Sequence, residues 1–123
     1  MKFTLDRPGV AHLVRAYAPG LVRIGDRDIA SSVIVSAAIL IEPWRPRHAG
    51  DLAAADLEPA IALAPEVLLI GTGPRQVFPG PAIFAALHAA RIGFEIMDTG
   101  AACRTYNVLV AEERRVAAAL MLE

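Results

Sequence analysis

The residues best equipped for chemistry lie in the last quarter of the chain, in Phe94-Glu95-Ile96-Met97-Asp98-Thr99-Gly100-Ala101-Ala102-Cys103-Arg104-Thr105-Tyr106-Asn107. Asp-Thr-Gly after a short apolar run is the local pattern of an aspartic-protease half-site. That chemistry needs two carboxylates sharing one proton, so a single copy would act only as a homodimer. Three features argue against it. The triplet begins at residue 98 of 123, the residues after it have helical spacing, and no later hydrophobic–Gly strand stands ready to pack behind such a loop. The favoured reading is a helix cap, with Asp98 or Thr99 accepting the free N–H groups of the first turn.

Gly71-Thr72-Gly73 comes directly after the apolar run Glu66-Val67-Leu68-Leu69-Ile70 and is the second place where chemistry could sit. Glycine-rich loops after strands cradle phosphates, but the dinucleotide fingerprint fails here. Gln76 stands where its third glycine belongs, and Pro74 occupies the loop. No Gly-Lys-Ser/Thr is present, which excludes a P-loop. The favoured reading is a tight turn in which glycine tolerates positive φ. The alternative is a small-anion or peptide contact involving Arg75. Ligands of open α/β sheets collect beyond strand C-termini. Gly71 to Arg75 and Asp98–Thr99 both fall at such ends, so their shared edge is the best candidate surface.

Cys103 falls in the first turns of the helix after Asp98. A helix N-terminus and the neighbouring Arg104 would lower its pKa, but no histidine is near in sequence to act as a base. A buried core thiol is the favoured reading. Tyr106 and Asn107 read equally well as part of a polar pocket or as a core aromatic and an amide bonded to nearby backbone. His12, His48 and His88 lack metal-site spacing, and no metal, cofactor or complete catalytic set is expected. Trp44, bracketed by Pro43 and Pro46, is either a partner-facing anchor or, in the favoured reading, packs over the sheet edge.

These residues need elements to hold them. Met1 to Leu5 reads as a short strand. Tyr17-Ala18-Pro19-Gly20-Leu21 is a turn, Val22-Arg23-Ile24 alternates as a strand, and Arg27-Asp28-Ile29 returns as a hairpin after Gly25-Asp26. Ser32 to Ile41 reads as one buried strand. Asp51 to Leu63 reads as a short helix or two turns around Pro59, with Leu52, Ala55 and Ala62 on one side. Glu66 to Ile70 is a continuous apolar strand suited to a sheet covered on both faces. Ala82 to Arg91 is a helix with Ile83, Phe84, Leu87 and Ala90 on one face, Gly93 stops it, and Phe94 to Met97 is the next strand. Residues 66–97 thus make a βαβ unit with parallel strands. Thr99 to Ala111 is a second helix with Ala102, Tyr106, Leu109 and Val110 inward, and Arg115 to Leu122 is a final strand.

Bulk properties narrow the function classes. At 123 residues and 55% hydrophobic composition, a single α/β domain with one packed core is expected. A net charge of −1 gives no bulk attraction to nucleic acid or anionic lipid. Lys2 is the sole lysine among 12 basic residues, and the arginines are scattered. Cys103 is the one cysteine, so no intrachain disulfide or cysteine-rich metal site can form. Met1 to Gly9 has no apolar core of a signal peptide, and Val33 to Ile41 falls short of the roughly 20 residues that span a bilayer. The expectation is a cytoplasmic protein that is not itself a membrane protein.

At Glu66 to Gly73, Met97-Asp98-Thr99, Thr105-Tyr106-Asn107-Val108-Leu109 and Arg114-Arg115-Val116-Ala117-Ala118-Ala119-Leu120, the chain resembles one family in order and spacing. It is the domain-of-unknown-function family that includes mitochondrial respiratory complex I assembly factor 3 and an adipogenesis-associated protein. The match is clear over residues 66–122, looser over Ser32–Trp44, and positional only before that. One departure is Glu112-Glu113-Arg114, where the family pattern has Glu-Gly-Arg. The resemblance implies a compact three-layer α/β domain with a mixed central sheet. For one mitochondrial branch it implies an assembly role through protein partners, and it brings no catalytic residues.

Two functions are expected on these grounds. The first is a non-enzymatic interaction domain with a protein partner, such as a membrane complex or its subunits. The alternative is a small-molecule or anion-binding protein, or an unrecognised enzyme, using the edge formed by Gly71, Thr72, Gly73, Arg75, Asp98, Thr99 and Cys103, with Tyr106 and Asn107 behind it.

Overall fold

The computed structural model describes the backbone of residues 2–5 and the whole of residues 10–123. Met1 and Asp6 to Gly9 lie outside the described residues, and with them part of the N-terminal expectations. The first half of the chain forms β1 (Lys2–Leu5), β2 (Val14–Ala18), β3 (Leu21–Ile24), β4 (Arg27–Ile29), β5 (Val33–Ser36) and β6 (Ile39–Glu42). Two 3-10 turns at Ala49–Asp51 and Ala54–Leu57 then lead into the short helix α1 (Glu58–Ala62). The second half forms β7 (Val67–Thr72), α2 (Pro81–Ala89), β8 (Gly93–Met97), α3 (Thr99–Ala111) and β9 (Val116–Met121).

Six strands make one mixed sheet in the order β1-β6-β5-β9-β7-β8, and β2-β3-β4 make a second, antiparallel sheet. β7 lies parallel to both β8 and β9, as the βαβ reading requires, whereas β5 pairs antiparallel with β6 and β9. The central strand β9 shows why two layers cover the sheet. Val116, Ala118 and Leu120 join the core that holds the small sheet and α3, while Ala117, Ala119 and Met121 join the core of α1, α2 and Trp44. A strand with period-2 side chains and apolar residues at every position has no face left for water. Full burial of Leu68, Leu69 and Ile70 on β7 contributes about 1.5–3 kcal/mol each.

Several sequence expectations are corrected. Ser32 to Ile41 is two strands, not one, because the chain reverses between Ser36 and Ile39, where the Ser36 hydroxyl accepts the Ile39 N–H (3.2 Å). Between Asp51 and Leu63 the fully buried residues are Leu57 and Ala60; Leu52 packs partly buried against the same core, whereas Ala55 and Ala62 are exposed, since Pro59 sits in the first turn of α1 and the preceding turns have 3-10 periodicity. Trp44 is 2% exposed, clusters with Ile34 and Ile41 of the sheet and donates from Nε1 to the Asp56 carbonyl (2.8 Å), so it packs inward as favoured and the partner-facing alternative falls. Gly93 does not stop α2; it opens β8, where a Cβ would sit 3.0 Å from the Glu66 carbonyl.

The residue that stops α2 is Arg91, at φ 56°, with Arg91 N–H bonded to His88 and Ile92 N–H to Leu87. The same paired bonds end α3 at Glu113 (φ 60°), through Val110 and Leu109. Ala64 (φ 52°) ends α1 with the first of these bonds alone, its N–H to the Ile61 carbonyl (2.9 Å), because Pro65 has no N–H to give. Each of these helices therefore closes on a left-handed residue that carries a side chain, where glycine is usual. The Glu113 departure from the family pattern falls on that position.

Candidate functional site

The end of β7 and the start of α3 are tied by one hydroxyl. Thr99 Oγ1 donates to the Met121 carbonyl (2.5 Å) and accepts the Gly73 N–H (2.7 Å), while the Thr99 N–H donates to the Gly73 carbonyl (2.8 Å). Gly71 is not a turn residue but part of β7, and its role is clearance. A Cβ there would stand 2.8 Å from Thr99 Oγ1 and 3.0 Å from Thr99 Cα. Gly73 does take positive φ (87°), so the turn expectation holds at that glycine. The Thr72 hydroxyl donates to the Arg75 carbonyl (2.6 Å) and accepts the Val77 N–H (3.0 Å), which fixes the loop beyond the strand.

Asp98 is the N-cap of α3. Its Oδ1 accepts the Ala101 N–H at 2.9 Å, as the cap reading requires. Tyr106 is fully buried and donates its hydroxyl to the His12 carbonyl (2.7 Å). Asn107 grips Val14 from both sides, accepting its N–H (2.9 Å) and donating to its carbonyl (2.7 Å). Tyr106 and Asn107 thus fasten β2 to α3. Burial pushes the Cys103 thiol up to about 12; Arg104 opposes that shift and Asp98 adds to it. Burial of this kind disfavours the thiolate, the form of a cysteine that acts as a nucleophile.

The residues expected at one edge therefore divide between two concave surfaces. Thr72 and Arg75 line a depression of about 350 Å³ with His48, Gly50, Pro74 and Val77. Cys103 and Asn107 line a cleft of about 280 Å³ with Arg15, Tyr17, Gly100 and Arg104. Among the described residues, no group of three or more His, Cys, Asp or Glu side chains is placed to hold a metal ion.

Two features lie beyond what the sequence discloses. The first is the loop Gln76-Val77-Phe78-Pro79, where Phe78 is 66% and Val77 46% exposed. Gln76 Nε2 donates to the Ile96 carbonyl (2.9 Å), so the loop is pinned on both sides of its start. The Phe-Pro pair directly before α2 is the one local signal for it. The second is Arg15 and Tyr17 on β2, which only the tertiary fold brings to Gly100 and Arg104.

Residues 14–121 match the family described as "Protein of unknown function (DUF498/DUF598)". The chain is 33% identical over 104 residues to NADH dehydrogenase (ubiquinone) 1 alpha subcomplex assembly factor 3 of Xenopus tropicalis, an alignment covering 83% of this chain and 56% of that protein. The chain thus spans little more than half of that relative's length. Among solved structures, a protein from Bordetella parapertussis superposes with a TM-score of 0.87 at 37% identity, over 95% of this chain and 100% of that one. A Bordetella pertussis protein described as a Mth938-like domain gives a TM-score of 0.79 at 32% identity, over 99% and 92%. No described helix is long and apolar enough to cross a membrane. With its matched region running through nearly the whole described fold, this chain belongs to the DUF498/DUF598 family.

Proposed function

We propose that this chain is a non-enzymatic docking domain that serves the assembly of a multi-subunit membrane complex from the cytoplasmic side. The observation that carries the reading is Phe78, a large aromatic side chain 66% exposed at the tip of a loop held by fixed hydrogen bonds. An exposed aromatic beside a backbone held at Gln76 and Val77 can anchor a partner with little ordering cost. Val77 extends the apolar tip, and the adjoining depression offers the Arg75 guanidinium. Glu123 lines the same depression but pairs with Arg47, so the combination suits a partner segment with an apolar anchor beside an acidic residue. The relative from Xenopus tropicalis, described as an assembly factor of NADH dehydrogenase, supplies the class of client.

Affinity purification of the tagged chain from its native host, at low and moderate salt, tests this. Subunits of a respiratory membrane complex are expected with the wild type and lost with Phe78→Ser. Equal recovery with both proteins, or recovery of background alone, overturns the proposal.

A further inference from the structure

We infer that the cleft between β2 and α3 is a binding site for the oxyanion group of a small molecule, phosphoryl or carboxylate, held by Arg15, Arg104 and the Tyr17 hydroxyl. This site is separate from the Phe78 loop and does not depend on the docking proposal.

Backbone irregularity points to the cleft first. Val14 pairs with Ile24 but Ala16 pairs with Arg23, so Arg15 is an extra residue in β2, a β-bulge. Bulges turn a side chain away from the direction that strand alternation would give it, and they recur beside binding sites. Here the bulged Arg15 lines the same cleft as Tyr17.

Charge is the second observation. Arg23, Arg27, Arg45, Arg47 and Arg114 each pair with a carboxylate. Arg15, Arg75, Arg91, Arg104 and Arg115 have no carboxylate partner among the described residues, and of these Arg15 and Arg104 line the cleft together. Two guanidinium groups at one cavity, neither paired with a carboxylate among the described residues, offer the forked donors that phosphate and carboxylate oxygens accept.

The third observation is a polar atom without a partner. The Tyr17 hydroxyl is buried and makes no hydrogen bond among the described residues. Burial, with Cys103 and Asp98 nearby, raises its pKa, so it stays a proton donor at neutral pH. A buried hydroxyl without an acceptor is costly, and an incoming oxyanion relieves that cost.

Finally, the space is kept open. A Cβ on Gly100 would lie 3.4 Å from Asp98 Oδ1, 3.5 Å from Arg104 Nη1 and 3.6 Å from Tyr17 Cδ2. Glycine inside the first turn of α3 costs helix stability, yet it leaves a gap where the carboxylate, the guanidinium and the ring converge. Asp98 places a carboxylate at this gap, and its Oδ1 already accepts the Ala101 N–H. It disfavours an anion on its own side and directs it toward the two arginines. Asn107 gives one N–H and one oxygen lone pair to Val14, which fixes its amide as part of the wall. The volume, about 280 Å³, suits a small metabolite.

The test is an amide NMR titration of the full chain with inorganic phosphate and, separately, with acetate, against sodium chloride at matched ionic strength. Saturable shifts at Gly100, Arg104 and the Val14–Tyr17 amides are expected with at least one probe. Phosphate alone would identify a phosphoryl site, acetate alone a carboxylate site. Arg104→Gln should bind about tenfold more weakly, as loss of one charge-assisted contact implies. Gly100→Ala should block binding while leaving the helix at least as stable, and Phe78→Ser should bind as the wild type does. No saturable shift with either probe, or unchanged binding in both Arg15→Gln and Arg104→Gln, overturns the inference.

Discussion

Asn107 on α3 closes a two-point hydrogen-bonded clamp on the backbone of Val14 on β2, taking its N–H at 2.9 Å and giving to its carbonyl at 2.7 Å. The side-chain amide thereby does what a neighbouring strand would do. It joins the three-stranded sheet to a helix that itself packs on β7 and β9. Replacing Asn107 with Ala leaves a Val14 N–H and C=O unpaired in a partly buried seam. The expected loss is about 1–3 kcal/mol, measured by urea unfolding. Hydrogen exchange should rise first at β2, ahead of β7 and β9.

Glu113 ends α3 at φ 60°. A side chain in this region costs roughly 1 kcal/mol that glycine avoids. Glu113→Gly should therefore raise stability by about 0.5–1 kcal/mol, visible as a higher thermal midpoint with an unchanged circular dichroism spectrum. A neutral or negative change would mean that the Glu113 side chain is stabilised by something other than its backbone.

Cys103 should be inert in the folded protein. With the thiol pushed up to about 12, the thiolate is scarce at pH 7, and only 5% of the residue is exposed at the cleft wall. A disulfide-exchange reagent should label it no faster than the protein unfolds, and labelling in urea should be complete. Fast labelling under native conditions would contradict the buried position.

Asp56 accepts bonds from Arg45 and from the Ala53 N–H (2.8 Å), and the Arg45 guanidinium holds its carboxyl below the usual range. A carboxyl whose folded pKa is lowered contributes stability that is complete above its unfolded value and is lost as pH falls toward the folded one. The wild type should therefore lose part of its stability below about pH 4. In Asp56→Asn that acid-side slope should shrink, and the difference between the two proteins should vanish at low pH. Urea unfolding at a series of pH values reads it directly.

Much of this arrangement is legible in the residues alone. The apolar run ending in Ile70, the Asp98 cap and the all-apolar 116–122 stretch identify β7, α3 and β9, because each rests on local pattern. Ser32 to Ile41 does not disclose its reversal, since both strands are buried and no glycine or proline marks the turn. Gly71 reads as a turn residue because its true reason is tertiary: the space belongs to Thr99, 28 residues on by chain position. Tyr106 and Asn107 are visible as polar residues but not as fasteners, as their partners at His12 and Val14 lie far away in sequence. Arg15 is silent in the sequence, because a bulge and a facing helix have no local signature.

The docking proposal stands or falls on the Phe78 loop. The direct measurement is photocrosslinking in the native host, with a benzophenone amino acid in place of Phe78 and, as a control, in place of the exposed Glu112. A subunit of a respiratory membrane complex crosslinked from position 78 and not from 112 is the predicted result. No crosslinked protein from position 78, or the same products from both positions, would contradict it.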